Sequence, residues 1–157
     1  MAKVLSEEAR KEFEWILSRY PKRRAALLPT LRLLEKEFGK IDDEAIELAA
    51  GLIEVPPAEV LGVLSFYTHF RRESDGRHVI WVCNTLPCAL RGCRELTAAI
   101  EKKLGIDCDG TTPDGRFTLK KAECLASCDT APVVQVDDDH YDHVTIEKLE
   151  AILEKYP

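Results

Sequence analysis

The sequence lacks the features that mark membrane proteins and nucleic-acid-binding proteins. No apolar run approaches the roughly 18 residues that a membrane-spanning helix requires. Basic residues are not in excess, because 28 acidic and 22 basic residues give the 157-residue chain a net charge of −6. Such a charge argues against nucleic acid as a partner. We therefore expect neither direct membrane insertion nor nucleic-acid binding.

Nucleotide-binding loops are also missing from the sequence. There is no G-x-G-x-x-G motif. Gly110 and Gly115 have the spacing of a phosphate-binding P-loop, but Arg116 and Phe117 follow them instead of Lys and Ser or Thr. The sequence therefore predicts no site on this chain for a dinucleotide or a nucleotide phosphate.

The chain has no signature of a secreted, disulfide-bonded protein. Its first residues, among them Ser6, Glu7 and Glu8, are polar and favour a helix, where a secretory leader would have an apolar stretch. We expect a cytoplasmic protein, and structural disulfides are rare in that compartment. The redox motif C-x-x-C is absent as well.

The sequence contains six cysteines, and four of them form two close pairs. Cys83 and Cys88 have the spacing C-x4-C, Cys124 and Cys128 have the spacing C-x3-C, and 35 residues separate the pairs. Each pair follows an apolar run that is typical of a strand. Loops at the ends of adjacent strands can converge, so these four thiolates are candidate ligands of one metal centre.

Several kinds of site are compatible with this spacing. Four thiolates can hold a [2Fe-2S] cluster, a [4Fe-4S] cluster or a tetrahedral zinc ion, and a dithiol or structural role is a further alternative. Structural zinc sites favour the tighter C-x2-C spacing, so the wider spacing favours a two-iron cluster. A Rieske centre needs two histidine ligands. None of the four histidines follows a cysteine closely, namely His69, His78, His140 and His143.

The two remaining cysteines have less distinctive surroundings. Cys93 shares the apolar side of a predicted helix with Leu96 and Ile100, which indicates a small core residue. Cys108 follows Gly105 in a predicted loop, where no partner is evident.

The hydrophobic periodicity divides the chain into residues 1–72 and residues 73–157. The first part has the spacing of four amphipathic helices. Ser6 is a candidate N-cap of the first helix, Gly39 ends the second, the third starts at Asp42, and the fourth begins at Pro56 and Pro57 and carries Val60, Leu61 and Leu64. We expect this helical domain to dock a partner with part of its surface.

The second part changes to a mixed pattern. It predicts a strand at 77–82, a helix at 89–104, a strand at 117–122, a hairpin around 137–139 and a last helix that Thr145 caps. This order is the core of a thioredoxin-like fold. The expected fold class is therefore α/β or α+β, with an N-terminal helical bundle followed by a thioredoxin-like domain.

Two segments around the cysteine pairs resemble the signatures of a known family. They are VCNTLPCALRG at 82–92 and ECLASCDTAPVVQV at 123–136. The N-terminal part resembles the same family at LPTLR (28–32), VPPAEV (55–60) and GVLSFY (62–67). The family is the 24 kDa subunit of respiratory complex I, the NADH–quinone oxidoreductase, and its members are thioredoxin-like [2Fe-2S] ferredoxins.

The resemblance implies one [2Fe-2S] cluster with Cys83, Cys88, Cys124 and Cys128 as ligands. It implies an electron-transfer subunit of an oxidoreductase without a complete active site of its own. The implied partner is a flavin- and NADH-binding subunit of about 50 kDa, which would hold FMN and NADH. The expected location is the peripheral arm of a membrane-bound complex, on its cytoplasmic side.

The same resemblance leaves some alternatives open. The family also includes diaphorase subunits of NAD-linked hydrogenases and formate dehydrogenases, and a freestanding ferredoxin is a further possibility. Two residues depart from the family pattern: Ala126 stands where glycine is frequent, and Asp129 stands where glycine or serine is usual. We expect Ala126 either to avoid a positive φ or to accept a modest energetic cost. Asp129 places a carboxylate beside a ligand.

Overall fold

The computed structural model describes residues 3–157 and divides the chain into two compact units. The first unit is Met1–Glu73 and the second is Ser74–Pro157.

The first unit is helical. It contains α1 (Glu7–Ser18), α2 (Leu27–Phe38), α3 (Asp43–Ile53) and α4 (Pro57–Phe66), with a single 3-10 turn at Arg23–Ala26. The predicted starts of α1 and α3 and the predicted end of α2 are confirmed. The Ser6 hydroxyl accepts a hydrogen bond from the Ala9 amide, and the Asp42 carboxylate accepts one from the Ala45 amide. Gly39 ends α2 with φ at +77°, a conformation that glycine adopts without strain.

All four helices contribute to one apolar core in the first unit. The innermost side chains are fully enclosed by their neighbours, among them Leu31, Leu34, Ile41, Ala45 and Val60. The apolar spacing of α4 predicts Leu61 on its buried side together with Val60 and Leu64, but Leu61 is half exposed. No single helix within residues 3–157 is long and apolar enough to cross a membrane; α3 and α4 reach that length and composition only together, across a bend of 114°.

A four-stranded mixed sheet forms the centre of the second unit. Its strands are β1 (His78–Cys83), β2 (Phe117–Ala122), β3 (Val134–Val136) and β4 (Asp139–Tyr141), in the spatial order β2-β1-β3-β4. β1 pairs with β2 in parallel, whereas β3 is antiparallel to both β1 and β4. The predicted strand at 117–122 and the predicted hairpin are therefore confirmed.

The helix predicted at 89–104 is in fact two helices, α5 (Leu86–Leu90) and α6 (Cys93–Leu104). Gly92 separates them with φ at +90°, which no regular helix contains. Because of this break, the residues of α5 do not continue the apolar face of α6. A continuous helix would place Leu90 on the apolar face with Cys93, but Leu90 is 78% exposed, while Cys93 is buried as predicted.

The last helix, α7, spans Ile146–Leu153, and its N-cap Thr145 accepts a hydrogen bond from the Lys148 amide, as predicted. The core of the second unit combines the sheet with α6 and α7, and its buried side chains include Ile80, Leu96, Ile100, Leu119, Val136 and Leu149. This order of a strand, helices, a strand, a hairpin and a helix around a mixed sheet is the expected thioredoxin-like fold.

Candidate metal centre

The two cysteine pairs lie at the same edge of the sheet. Cys83 is the last residue of β1, and it stands opposite Ala122, the last residue of β2, in the parallel ladder. Cys88 lies in α5, directly after β1, and Cys124 and Cys128 lie in the segment that follows β2. Parallel strands end at a common edge of a sheet, so the register of β1 and β2 brings the two cysteine-bearing segments together.

The four thiols interact as two pairs. The thiols of Cys83 and Cys88 influence each other's ionisation, and Cys124 influences that of Cys128. The pairs are also within electrostatic range of one another, since Cys83 acts on Cys128. Within residues 3–157, no three His, Cys, Asp or Glu side chains are grouped tightly enough to hold a single metal ion.

The two pairs differ in their access to solvent. Cys83 and Cys88 are buried, with 2% and 1% of their surface exposed. Cys124 and Cys128 are both exposed. A centre held by all four thiols would therefore have one side inside the protein core and one side at the surface.

Several hydrogen-bond donors point at the sulfur atoms. The backbone of Thr85 and that of Leu125 favour the thiolate of Cys83, so the second loop contributes to the surroundings of a cysteine of the first loop. The Thr85 hydroxyl oxygen lies 3.4 Å from the same sulfur. The Ala126 amide donates to the Cys124 sulfur over 3.2 Å. Such donors favour the thiolate form of cysteine, which is the form that binds metals.

Burial and hydrogen bonding act in opposite directions on the two buried thiols. Burial disfavours ionisation of Cys83, but the donors from Thr85 and Leu125 outweigh it and lower the pKa of this thiol. At Cys88 burial and the hydrogen bond with Cys83 dominate, and they raise the pKa to about 11 despite a donor at Val133. Cys83 is therefore the more acidic member of its pair.

In the exposed pair, the pKa of Cys128 is raised. Residual desolvation and the charges of Cys124 and Cys83 raise the pKa of Cys128. The Asp129 carboxylate, on an exposed residue, acts in the same direction. Negative charges near Cys128 thus disfavour ionisation of its thiol to the thiolate.

The spare cysteines occupy the positions that the sequence indicated. Cys93 begins α6 in the core and lies within electrostatic range of Cys83 and Cys88. Cys108 is partly exposed and its amide donates to the Glu101 carboxylate over 3.2 Å.

Ala126 adopts a positive φ of +58° in the second cysteine loop. Of the two expectations for this residue, avoidance of the left-handed region is therefore wrong. The Ala126 amide, directed at Cys124, depends on this backbone conformation. The alanine side chain is tolerated at a modest energetic cost, because the left-handed conformation brings its Cβ close to the following carbonyl oxygen.

Sequence reasoning missed three residues of the first loop. Leu86 and Leu90, on either side of Cys88, are 70% and 78% exposed and form an apolar surface beside the thiols. Thr85 directs its hydroxyl to a cysteine. Thr85 and Pro87 at the start of α5 were the available signals that a new helix begins before Cys88, which would have turned Leu90 outward.

The chemistry of this donor set fits a [2Fe-2S] cluster. A two-iron cluster takes four thiolates, two on each iron, and the four thiols form two pairs. Amide and hydroxyl donors to sulfur are a recognised means by which proteins tune such clusters.

Comparison with known proteins agrees with this fit. The sequence model of the family described as thioredoxin-like [2Fe-2S] ferredoxin matches residues 13–157. A relative from Thermus thermophilus, NADH-quinone oxidoreductase subunit 2, is 45% identical over 143 residues, which are 89% of this chain and 79% of the relative. A subunit of the NADH-quinone oxidoreductase of Escherichia coli K12 is 38% identical over 152 residues, 97% of this chain and 92% of that protein.

A solved structure with a similar fold is the NAD+-reducing [NiFe]-hydrogenase in its air-oxidised state. Its TM-score is 0.70 over 80% of this chain, with 21% sequence identity, and this chain corresponds to 22% of the hydrogenase chain. The family match and the curated relatives confirm the resemblance carried by residues 82–92 and 123–136. The chain belongs to the thioredoxin-like [2Fe-2S] ferredoxin family.

Proposed function

We propose that this chain is the [2Fe-2S] electron-transfer subunit of an NADH–quinone oxidoreductase. Cys83, Cys88, Cys124 and Cys128 hold one cluster, which exchanges single electrons with the flavin of a larger NADH-binding subunit. The observation that carries the proposal is the meeting of two cysteine pairs at the common edge of β1 and β2, with amide donors directed at their sulfur atoms.

The roles of the protein groups follow from this arrangement. When bound, a [2Fe-2S] cluster supplies a one-electron redox couple. The buried pair, Cys83 and Cys88, anchors the site in the core, whereas the exposed pair gives a partner protein close access to it. Amide donors at Leu125 and Ala126 offset the negative charge that reduction adds.

NADH and FMN belong to the partner subunit in this proposal. The sequence contains no dinucleotide-binding motif, so hydride transfer from NADH needs another chain. We propose further that the helical part, residues 1–72, docks that partner and that residues 73–157 carry the cluster. The complex would place both parts in its peripheral arm, on the cytoplasmic side of the membrane.

The nature of the centre is tested on the purified protein. Iron, acid-labile sulfide and zinc are measured, together with the visible spectrum before and after dithionite. We expect about two iron atoms and two sulfides per chain, with charge-transfer bands that bleach on reduction. A colourless protein with stoichiometric zinc would contradict the proposal and support the zinc-stabilised alternative.

The partnership is tested by reconstitution with the flavin-binding subunit. The isolated chain should neither bind nor oxidise NADH, and NADH should reduce its cluster only when the flavin subunit is present. A chain that begins at Ser74 should retain iron but associate more weakly with that subunit. Equal association of the shortened and full chains would refute the docking role of the helical part.

A separate experiment distinguishes the alternative complexes. The diaphorase modules of an NAD-linked hydrogenase or formate dehydrogenase would use the same site, and a freestanding ferredoxin would need no flavin subunit. The names of relatives at 38% and 45% identity favour the NADH–quinone oxidoreductase. Co-purification from the native membrane, followed by identification of the associated flavoprotein, distinguishes the three.

A further inference from the structure

Thr85 and Cys83 make a side-chain contact in the first cysteine loop. The Thr85 hydroxyl oxygen lies 3.4 Å from the Cys83 sulfur, within hydrogen-bond distance for a sulfur acceptor. We propose that this hydroxyl donates to the Cys83 thiolate and thereby raises the midpoint potential of the cluster. The inference rests on the proposed function, because it requires the cluster on Cys83.

The position of Thr85 makes this contact unusual. Thr85 is the N-cap residue of α5, with extended backbone angles, where a threonine hydroxyl normally accepts a hydrogen bond from a helix amide. Within the described chain it makes no such capping bond. Three other N-caps do so, namely Ser6, Asp42 and Thr145. Thr85 thus forgoes a stabilising cap and directs its hydroxyl to sulfur.

The direction of the hydrogen bond follows from the chemistry of a metal ligand. A cysteine that binds iron is a thiolate and has no proton, so it can only accept. A threonine hydroxyl can donate. Cys83 is 2% exposed and Thr85 is half-buried, so little water competes for either group.

The sign of the effect follows from charge. Reduction adds a negative charge that is shared by the cluster and its thiolates, so a donor to sulfur stabilises the reduced form more than the oxidised form. The backbone of Thr85 and that of Leu125 also favour the Cys83 thiolate, but every residue except proline supplies such an amide. The hydroxyl is the part of this donor set that a side-chain substitution can remove.

The test compares three variants of the full chain. Thr85→Val has nearly the same shape without the hydroxyl, and Thr85→Ser restores the donor. Thr97→Val is the matched control, because the Thr97 hydroxyl donates to the Cys93 carbonyl over 2.8 Å inside α6 and not to sulfur. Midpoint potentials are measured by redox titration. Deuterium-sensitive shifts of the Fe–S(Cys) stretching bands are measured by resonance Raman spectroscopy.

We expect Thr85→Val to lower the midpoint potential. The ratio of reduced to oxidised protein at a fixed ambient potential should fall about threefold to tenfold, which is roughly 28 to 59 mV for one electron. It should also lose part of the deuterium shift. Thr85→Ser and Thr97→Val should match the wild type, and iron content should be unchanged in all.

Three outcomes would overturn the role of Thr85: an unchanged potential in Thr85→Val, an equal shift in Thr85→Ser, or an equal shift in Thr97→Val. If Thr85→Val does not hold iron, Thr85→Ala removes the same hydroxyl, and equal potentials for the alanine and serine variants would refute the inference. A wild-type protein without an iron–sulfur spectrum would refute the proposed function itself.

Discussion

Cys83 lies directly opposite Ala122 at the ends of two parallel strands. The Asn84 amide, just beyond the first strand, donates to the Ala122 carbonyl over 2.9 Å and extends the pairing into the loops. Both cysteine-bearing segments therefore leave the sheet at the same level. The proposed ligand set depends on this register, because sliding one strand by a residue would move its cysteines by more than about 3 Å.

The assignment of ligands is tested by replacing each cysteine with serine. Replacing any one of four cysteines should abolish or severely disturb the cluster: Cys83, Cys88, Cys124 or Cys128. Cys93→Ser and Cys108→Ser should keep about two iron atoms per chain. Iron and acid-labile sulfide analysis gives the result. Loss of iron on replacing Cys93, together with a dispensable Cys88, would contradict the assignment.

Ala126→Gly should stabilise the protein. Ala126 has φ at +58°, where alanine is strained and glycine is not, so the glycine variant should gain about 0.5 to 1 kcal/mol. The denaturation midpoint in urea, at equal iron content, measures the change.

Gly115→Ala is the reverse control for this prediction. Gly115 has φ at +67° and no atom within 4 Å of an added Cβ, so only backbone strain should lower its stability. A lower midpoint for Ala126→Gly would show that the alanine methyl contributes contacts that outweigh the strain.

The Asp42–Lys3 pair should make the stability of the first unit depend on pH. Asp42 Oδ2 lies 2.5 Å from Lys3 Nζ, and Asp42 Oδ1 accepts from the Ala45 amide over 2.9 Å. The hydrogen bond from Lys3, and to a lesser extent that from the Ala45 amide, lowers the pKa of Asp42 below 3.8, its ordinary value. Because the pKa of Asp42 is lower in the folded than in the unfolded protein, the ionised carboxylate stabilises the folded state at pH values above 3.8. This contribution is lost as the pH falls through the pKa of Asp42 in the folded protein.

Asp42→Asn keeps an oxygen for the Ala45 amide and removes the charge. At neutral pH it should cost about 0.5 to 1 kcal/mol, and in strong acid it should cost nothing. Asp42→Ala also removes the cap and should destabilise at both pH values. Urea denaturation at the two pH values measures both. An equal cost of Asp42→Asn at neutral and acidic pH would contradict the ionic role.

The sequence predicted elements best where a local signal coincided with the hydrophobic pattern. Ser6 and Asp42 mark helix starts, Gly39 marks a helix end, and the strand predicted at 117–122 matches β2. Side-chain capping and a glycine with positive φ are local effects, so they are visible without knowledge of the fold.

The sequence was least informative around the first cysteine pair. Gly92 is compatible with a helix interior at modest cost, so its φ of +90° could not be predicted from its identity. The resulting exposure of Leu90 was missed for the same reason. The contact of Thr85 with Cys83 depends on the path of the loop after β1, which tertiary packing determines.

Asp129→Ser should raise the midpoint potential. The Asp129 carboxylate is exposed, and its charge already opposes ionisation of Cys128. A reduced cluster carries additional negative charge, so removing the carboxylate should favour reduction. At an effective dielectric of about 20 a nearby charge contributes a few kcal/mol at most, and water and salt reduce this to roughly tens of millivolts.

Salt dependence identifies the mechanism of the Asp129 effect. Redox titrations of wild type and Asp129→Ser are compared at low and high ionic strength, with iron content as the control. The difference should shrink at high salt because screening weakens surface charges. An unchanged or lower midpoint of the variant at low salt would refute the electrostatic role and favour a turn-forming role for Asp129.

Leu90→Asp should weaken association with the flavin-binding subunit. Leu86 and Leu90 are exposed on either side of Cys88, so a partner that approaches the cluster for electron transfer would cover them. Burying one leucine contributes about 1.5 to 3 kcal/mol, and a carboxylate in its place adds an unpaired charge to the interface. The dissociation constant should therefore rise about tenfold or more.

The matched control for Leu90→Asp is Ala98→Asp. Ala98 is exposed in the middle of α6, so this variant adds the same charge to a different helical surface. Both variants should retain iron, and only Leu90→Asp should raise the flavin-subunit concentration needed for half-maximal reduction by NADH. If Ala98→Asp weakens association equally, the effect is one of net charge. If Leu90→Asp binds like the wild type, the partner approaches the cluster from another side.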